Sequence, residues 1–160
     1  MVIENKITIA ALWILLEQVP DPEIPVLSIL DLGIVRDIKM HDEQIEIIIT
    51  PTYSGCPAMD AISMDIRLKL LENGLKDIKI TSILSPAWTT DWMTEEGKIK
   101  LNKYGIAPPK MSGDLSDTSP HCPQCNSMDT KLLSQFGSTA CKALYQCNEC
   151  KEPFDYFKCH

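Results

Sequence analysis

Cys122-Pro123-Gln124-Cys125 is answered twenty-one residues later by Cys147-Asn148-Glu149-Cys150. A C-x-x-C turn places two thiolates on one side of a tetrahedral site, and two such turns supply the four soft ligands that zinc takes at about 2.3 Å. The gap between them is slightly longer than the usual spacing and is readily bridged by a hairpin. The pattern predicts a small β unit over residues 120–160, a four-cysteine zinc ribbon with Cys122, Cys125, Cys147 and Cys150 as the metal ligands. Leu132, Leu133, Phe136, Leu144 and Tyr145 are expected to supply its strands and core. A unit of this size rarely folds on apolar burial alone. Structural zinc, worth roughly 10–16 kcal/mol of apparent binding free energy, accounts for the missing stability. The competing reading is that these cysteines pack as hydrophobes or form disulfides. Iron also accepts four thiolates in this geometry. A site closed by four protein ligands keeps no open position, so its expected role is structural. Cys141 and Cys159 lie close by, either as replacement ligands or as an exposed thiol; His121 and His160 are alternate ligands.

Upstream of the knuckles, residues 108–119 are rich in Pro, Ser, Gly and Asp and read as a linker, leaving residues 1–107 as a first domain. Its elements follow from pattern. Residues 7–18 are almost continuously apolar and end at Val19-Pro20, which predicts a buried helix. Asp21-Pro22-Glu23-Ile24-Pro25 cannot be helix interior and predicts an ordered extended turn. Residues 28–32 predict a short helical or turn element stopped by Gly33. Residues 34–40 and 44–50 predict a hairpin around His41-Asp42-Glu43, with Ile45, Ile47 and Ile49 on the buried face. Pro57 opens a helix reaching Asn73-Gly74, with Ala58, Ile62, Ile66 and Leu70 recurring every four residues. Ile78 and Ile80 mark a third strand, and residues 94–104 a short helix ended by Gly105. The order helix, two strands, helix, strand predicts an α+β domain: a small mixed sheet covered by helices.

Composition narrows the functional classes. With 44% hydrophobic and 23% charged residues the chain has enough apolar surface to fold. A net charge of −7 disfavours nucleic acid and acidic membranes as partners. The ribbon agrees: its four lysines are matched by four carboxylates, and four thiolates on Zn²⁺ add further negative charge. A protein partner suits it better. The longest strongly apolar stretch, residues 9–16, is too short to span a bilayer, and no cleavage site follows it. Cysteines in C-x-x-C spacing without a secretion signal point to metal ligation in a reducing cytoplasm.

Cys56 stands apart from the knuckles, between Gly55 and Pro57. Proline favours the first helical position, which puts Cys56 at or next to a helix N-cap. Unpaired N–H groups and the helix dipole there favour a reactive thiolate or a soft metal ligand. The alternative is an inert buried cysteine. Asp21 and Glu23 are candidate carboxylates for iron or for a proton near a thiol; equally, an Asp-Pro pair builds a turn on its own hydrogen bonds. Thr50, Thr52, Tyr53 and Ser54 are candidate donors to a sulfur. Trp88 and Trp92 read as packing or an interface. No Gly-x-Gly phosphate loop exists, and no histidine has a reason to approach Cys56, so a Cys–His enzyme lacks its base.

Asp21-Pro22-Glu23-Ile24-Pro25-Val26, Asp31-Leu32-Gly33-Ile34-Val35 and Thr50-Pro51-Thr52-Tyr53-Ser54-Gly55-Cys56-Pro57 together resemble the MIP/SufT-type iron–sulfur assembly domain. Phe136-Gly137-Ser138-Thr139-Ala140-Cys141-Lys142-Ala143-Leu144-Tyr145, framed by the knuckles, extends the resemblance to the PaaD-type family of phenylacetate-degradation accessory proteins. The resemblance implies a non-enzymatic maturation factor for the multicomponent phenylacetyl-CoA epoxidase. In it Cys56, with Asp21 and Glu23 nearby, handles iron or an iron–sulfur cluster transiently. The implied partners are the epoxidase's reductase or oxygenase components. One thiol per chain is too few for a cluster, so a homodimer or a partner would complete it. Two other classes compete: a docking subunit whose metal is only structural, and a thiol-dependent enzyme.

Overall fold

Ile45, Ile47 and Ile49 are buried along one face of a strand, opposite a helix whose Ile62, Ile66 and Leu70 are buried in turn. That pair of stripes organises the first half of the chain. The structure, a computed structural model, describes residues 6–110 and 119–158. Cys159, His160 and all of the expected linker except residues 108–110 and 119 lie outside the described residues. The elements run α1 (Ile9–Glu17), β1 (Val35–His41), β2 (Gln44–Ile49), α2 (Ala58–Glu72), β3 (Ile78–Ser82), a 3₁₀ turn (Thr90–Trp92), α3 (Glu95–Tyr104), β4 (Ile106–Ala107), β5 (Thr130–Ser134), β6 (Lys142–Cys147) and β7 (Pro153–Phe157).

Strands β1 and β2 form the expected antiparallel hairpin, with Asp42 at its tip in a left-handed conformation. Strand β3 pairs parallel to β2 after the α2 crossover, giving a mixed sheet of order β1-β2-β3. The α+β expectation therefore holds. One element differs. The apolar run predicts burial along the whole of α1, yet only Leu12 and Leu16 are buried, while Ile9 and Ile14 are exposed. The helix lies on the outside of the layer, packed against α2 and β1. A continuous apolar run reads as full burial because it carries no polar face to mark the solvent side.

The turn before β1 is tied down by Asp31. Ser28 and Asp31 exchange backbone-to-side-chain hydrogen bonds at 3.0 Å each. The same carboxylate accepts from Thr94 Oγ1 at 3.1 Å and from Lys100 Nζ at 2.9 Å, anchoring α3. Burial works to raise the Asp31 pKa, and the bonds from Lys100, Ser28 and Thr94 together hold it below the ordinary value. Two residues on, Gly33 sits at φ +70, where a Cβ would lie 2.4 Å from the Trp92 carbonyl oxygen. Arg36 stacks over the Trp92 ring at 3.5 Å from its centroid.

A second sheet of order β4-β7-β6-β5 is built on the antiparallel ribbon β5-β6-β7. Its outer strand β4 follows the left-handed cap Gly105 of α3 and pairs parallel with β7. The core of this unit is Ala107, Cys122, Cys147 and Phe154, flanked by Tyr145 and Tyr156. Tyr145 thus packs as expected, stacked on Phe154. Leu132, Leu133 and Phe136 do not: all three are exposed. A single small sheet closed over four cysteines has room for only a few side chains on its inner face, and β5 is an edge strand.

Two outcomes follow. Gly33→Ala should cost more than about 2 kcal/mol in denaturant unfolding, because strain at positive φ adds to the clash with Trp92. Asp31→Asn should cost about 1–3 kcal/mol at pH 7. Its folded pKa lies below the unfolded value, so the wild-type advantage is complete above pH about 4 and fades as pH falls through the folded pKa. Parallel melts from pH 7 to 2.5 check this, and a difference that grows in acid would contradict the assignment.

Candidate metal centre and thiol cleft

The first knuckle precedes β5 and the second joins β6 to β7, so the hairpin geometry sets them face to face. Asn126 N–H donates to the Cys122 carbonyl at 2.9 Å and Cys122 N–H to Ser127 O at 2.9 Å. Cys147 N–H closes the second turn onto Glu152 O at 3.0 Å. Each knuckle is followed by a residue in the left-handed region, Asn126 at φ 62 and Lys151 at φ 65. Asn148 then locks the two turns together, donating its N–H to Asp129 O at 2.8 Å and its Nδ2 to Asp129 Oδ1 at 2.7 Å.

The four sulfurs all lie within 4.8 Å of one another. Cys122 and Cys150 are 3.7 Å apart, Cys125 and Cys147 3.5 Å. The edge of a tetrahedron of sulfurs at 2.3 Å from a central ion is about 3.8 Å, so the donor set fits a zinc-sized ion. Its electrostatics also call for one. Backbone N–H groups of Cys150 and Glu149 point at the Cys147 sulfur and bring that thiol down to about 7. Cys150 is pushed up to about 12: the Glu152 N–H lowers it, but burial and the thiols of Cys122, Cys147 and Cys125 outweigh that. Four such groups cannot all ionise without a cation between them. The cluster is complete without His121 or Cys141.

Cys141 goes elsewhere. It is buried, not the exposed thiol or replacement ligand that the sequence left open. Its Sγ lies 3.8 Å from Glu23 Oε2 and 3.0 Å from Thr139 Oγ1. Burial raises the Cys141 thiol, and the Glu23 charge adds to this. It lines a cleft with Asp21, Glu23, Thr52, Cys56 and Phe157 whose interior volume is ≈ 10 Å³, about one water molecule. Cys56 is half-buried, immediately before the α2 N-cap residue Pro57. Of the loop hydroxyls, Tyr53 is hydrogen-bonded to the Cys56 sulfur. Burial first, then the Cys56 charge and that bond, push the Tyr53 hydroxyl up to about 12. Asp21 Oδ1 accepts from Glu23 N–H at 2.9 Å and Ile24 N–H at 2.7 Å. The same carboxylate therefore builds the turn and holds Glu23 over the cleft. Burial raises its pKa despite those bonds. Trp88 is buried, donates to Leu32 O at 2.7 Å and meets Phe157 edge-on at 6.1 Å. It is packing, and it packs the ribbon onto the first unit.

Fold and site together define a class: an α+β domain with a cysteine at the start of its central helix, joined to a four-thiol ribbon. Residues 9–83 match the model of an iron–sulfur cluster assembly protein, and residues 107–158 that of the PaaD zinc beta ribbon domain. Over 92% of its length the chain is 51% identical to a putative 1,2-phenylacetyl-CoA epoxidase subunit of Escherichia coli, covering 91% of that protein. The chain belongs to the PaaD family. An Fe-S protein maturation auxiliary factor of Porphyromonas gingivalis is 37% identical over 54% of the chain and 84% of its own length. Among solved structures, a domain of unknown function from Bacillus anthracis matches with TM-score 0.54 and 30% identity, over 57% of this chain and 89% of its own. A conserved hypothetical protein from Thermotoga maritima matches with TM-score 0.51 and 26% identity, over 60% and 95%. Among the described residues no helix is long and apolar enough to cross a membrane.

If the knuckles hold a structural ion, the purified chain carries one zinc, and Cys125→Ser or Cys147→Ser abolishes it in elemental analysis. Amide exchange should then lose protection in β5, β6 and β7 while β1–β3 stays protected. Full protection after complete chelation would contradict this.

Proposed function

We propose that this chain is a non-enzymatic accessory factor of the phenylacetyl-CoA epoxidase in cytoplasmic phenylacetate catabolism, assisting assembly or transfer of its iron or iron–sulfur centres. The observation that carries the reading is Cys56. Its thiol stands half-exposed before a helix N-cap, with the Tyr53 hydroxyl on the sulfur and carboxylates in the same cleft. Two names support it: the family relative is called an epoxidase subunit, and the partial relative an Fe-S maturation factor.

Roles divide accordingly. Cys56 is the soft ligand that takes the metal cargo and gives it up. Glu23 faces the cleft as a harder ligand or proton acceptor. Asp21, whose Oδ1 is committed to two backbone N–H groups, positions Glu23. Cys122, Cys125, Cys147 and Cys150 would hold zinc; that ion supplies only a fold, since four thiolates leave no open position. The ribbon then recognises the client, either the reductase or the oxygenase component. A single thiol falls short of the four ligands a cluster takes, so a full cluster needs a second copy of the chain or the client itself. The cleft contains no histidine base beside Cys56 among its lining residues, which disfavours thiol-dependent catalysis.

Anaerobic reconstitution with iron and sulfide, comparing wild type with Cys56→Ser, tests the reading together with epoxidase activity in cells lacking the natural factor. Iron–sulfide absorption that depends on Cys56, and at least about a tenfold loss of epoxidase activity in the variant, are the expected results. Full activity with Cys56→Ser would end any chemical role for this thiol.

A further inference from the structure

Cys141 is buried in the first unit's core cluster, although its backbone belongs to the ribbon. The loop that delivers it is closely built. Gly137 leaves space for the Asp155 carboxylate, whose Oδ1 would lie 2.5 Å from a Cβ there and would have to move aside. Gly137 N–H donates to Lys142 O at 2.7 Å, and Lys158 N–H to Cys141 O at 2.9 Å. Lys142 Nζ donates to Ser138 Oγ at 3.0 Å, holding the loop's other side. The result is a thiol aimed at a carboxylate of the other unit, with Glu23 Oε2 3.8 Å from its sulfur.

A buried cysteine packs readily as a small hydrophobe, and Cys141 does sit in the apolar cluster. Its sulfur also has Glu23 and Thr139 as polar neighbours, and it shares its cleft with Cys56. Two thiols and a carboxylate lining one cleft from two units are the donors that soft and borderline divalent ions take. We propose that Cys56, Cys141 and Glu23 form a second metal site, which takes one divalent ion such as Fe²⁺ or Zn²⁺ with its ligands divided between the assembly domain and the ribbon. This rests on the reading of Cys56 as a cargo thiol, and it removes the need for a second chain when the cargo is a single ion. The cleft as it stands has room for about one water molecule, which suits a single ion held within one chain.

The site is open where the knuckle site is closed. Among the described residues only the knuckle sulfurs have ligand atoms all within 4.8 Å of one another. Cys56, Cys141 and Glu23 line one cleft without meeting that spacing, so binding an ion has to draw them together. Ligation is not a redox step: each thiol gives its proton to solvent as its metal–sulfur bond forms, and the metal keeps its oxidation state. A set that must be drawn together binds less tightly than a preformed one, which is what release to a client requires.

The test is Co²⁺ titration, without oxygen, of the full chain with zinc already in the knuckles and zinc release monitored. Wild type should take one Co²⁺ per chain with thiolate-to-cobalt absorption and no loss of zinc. Cys141→Ser and Cys56→Ser should each weaken binding at least tenfold and halve the thiolate band per bound ion. Glu23→Gln should weaken binding while leaving that band intact. Alkylation mapping on wild type keeps the test independent of variant folding: Co²⁺ should protect Cys56 and Cys141 alike. Protection of Cys56 alone, or wild-type binding by Cys141→Ser, overturns the shared site and leaves the cargo role of Cys56 standing. A wild type that binds no Co²⁺ beyond its zinc, with neither thiol protected, overturns both.

Discussion

The seating of Phe157 and Cys141 in the core of the helical unit is the contact on which the cleft depends. Phe157 is fully buried there against Trp88, and the adjoining backbone fixes where the Cys141 sulfur lies. Burying a phenylalanine side chain stabilises by roughly 1.5–3 kcal/mol, so this contact alone biases the ribbon towards one seating. The pairing of β4 with β7 works in the same sense, because β4 continues directly from α3. The knuckle cluster acts at one remove. By holding β6 and β7 in register it places both Phe157 and Cys141, although it contributes no atom to the cleft.

The two thiol environments differ in a way that chemistry can use. In the knuckles, backbone N–H groups and a locked pair of turns hold four sulfurs at nearly the spacing a tetrahedral ion requires. Such preorganisation favours permanent occupancy. In the cleft, one thiol is buried beside a carboxylate and the other stands half-exposed on a loop with a tyrosine hydroxyl at its sulfur. Asp21 illustrates how such a site is supported. Its carboxylate is buried at a cost, yet the turn it builds is what points Glu23 at Cys141. Turn-building by Asp21 and the metal-handling role proposed for Glu23 are therefore compatible, since the turn is what sets Glu23 at the cleft.

Much of the frame was legible from local pattern. The alternation of Ile45, Ile47 and Ile49 and the four-residue recurrence from Ala58 to Leu70 report burial on one face, and both stripes are buried. Stops worked too: Gly105 caps α3 in the left-handed region, where glycine carries no Cβ penalty. The errors share a cause. Residues 9–16 and the trio Leu132, Leu133 and Phe136 are apolar without a periodic polar partner, so nothing local says which side meets solvent. Cys141 was visible as a cysteine in a Gly-Ser-Thr-Ala-Cys stretch, but its target, Glu23, lies 118 positions away.

Local order along the chain is thus enough for the helices and the strands of the first sheet, the pairing of the two C-x-x-C turns and the family. Each of these is set by spacing within a turn, a helix period or a strand repeat. Which further cysteines belong together is a property of the packed molecule alone. Knuckle spacing brings four thiols to one point because a hairpin folds them locally. Cys56 and Cys141 line one cleft between two packed units, and no short-range rule encodes a juxtaposition that exists only after both have formed and docked.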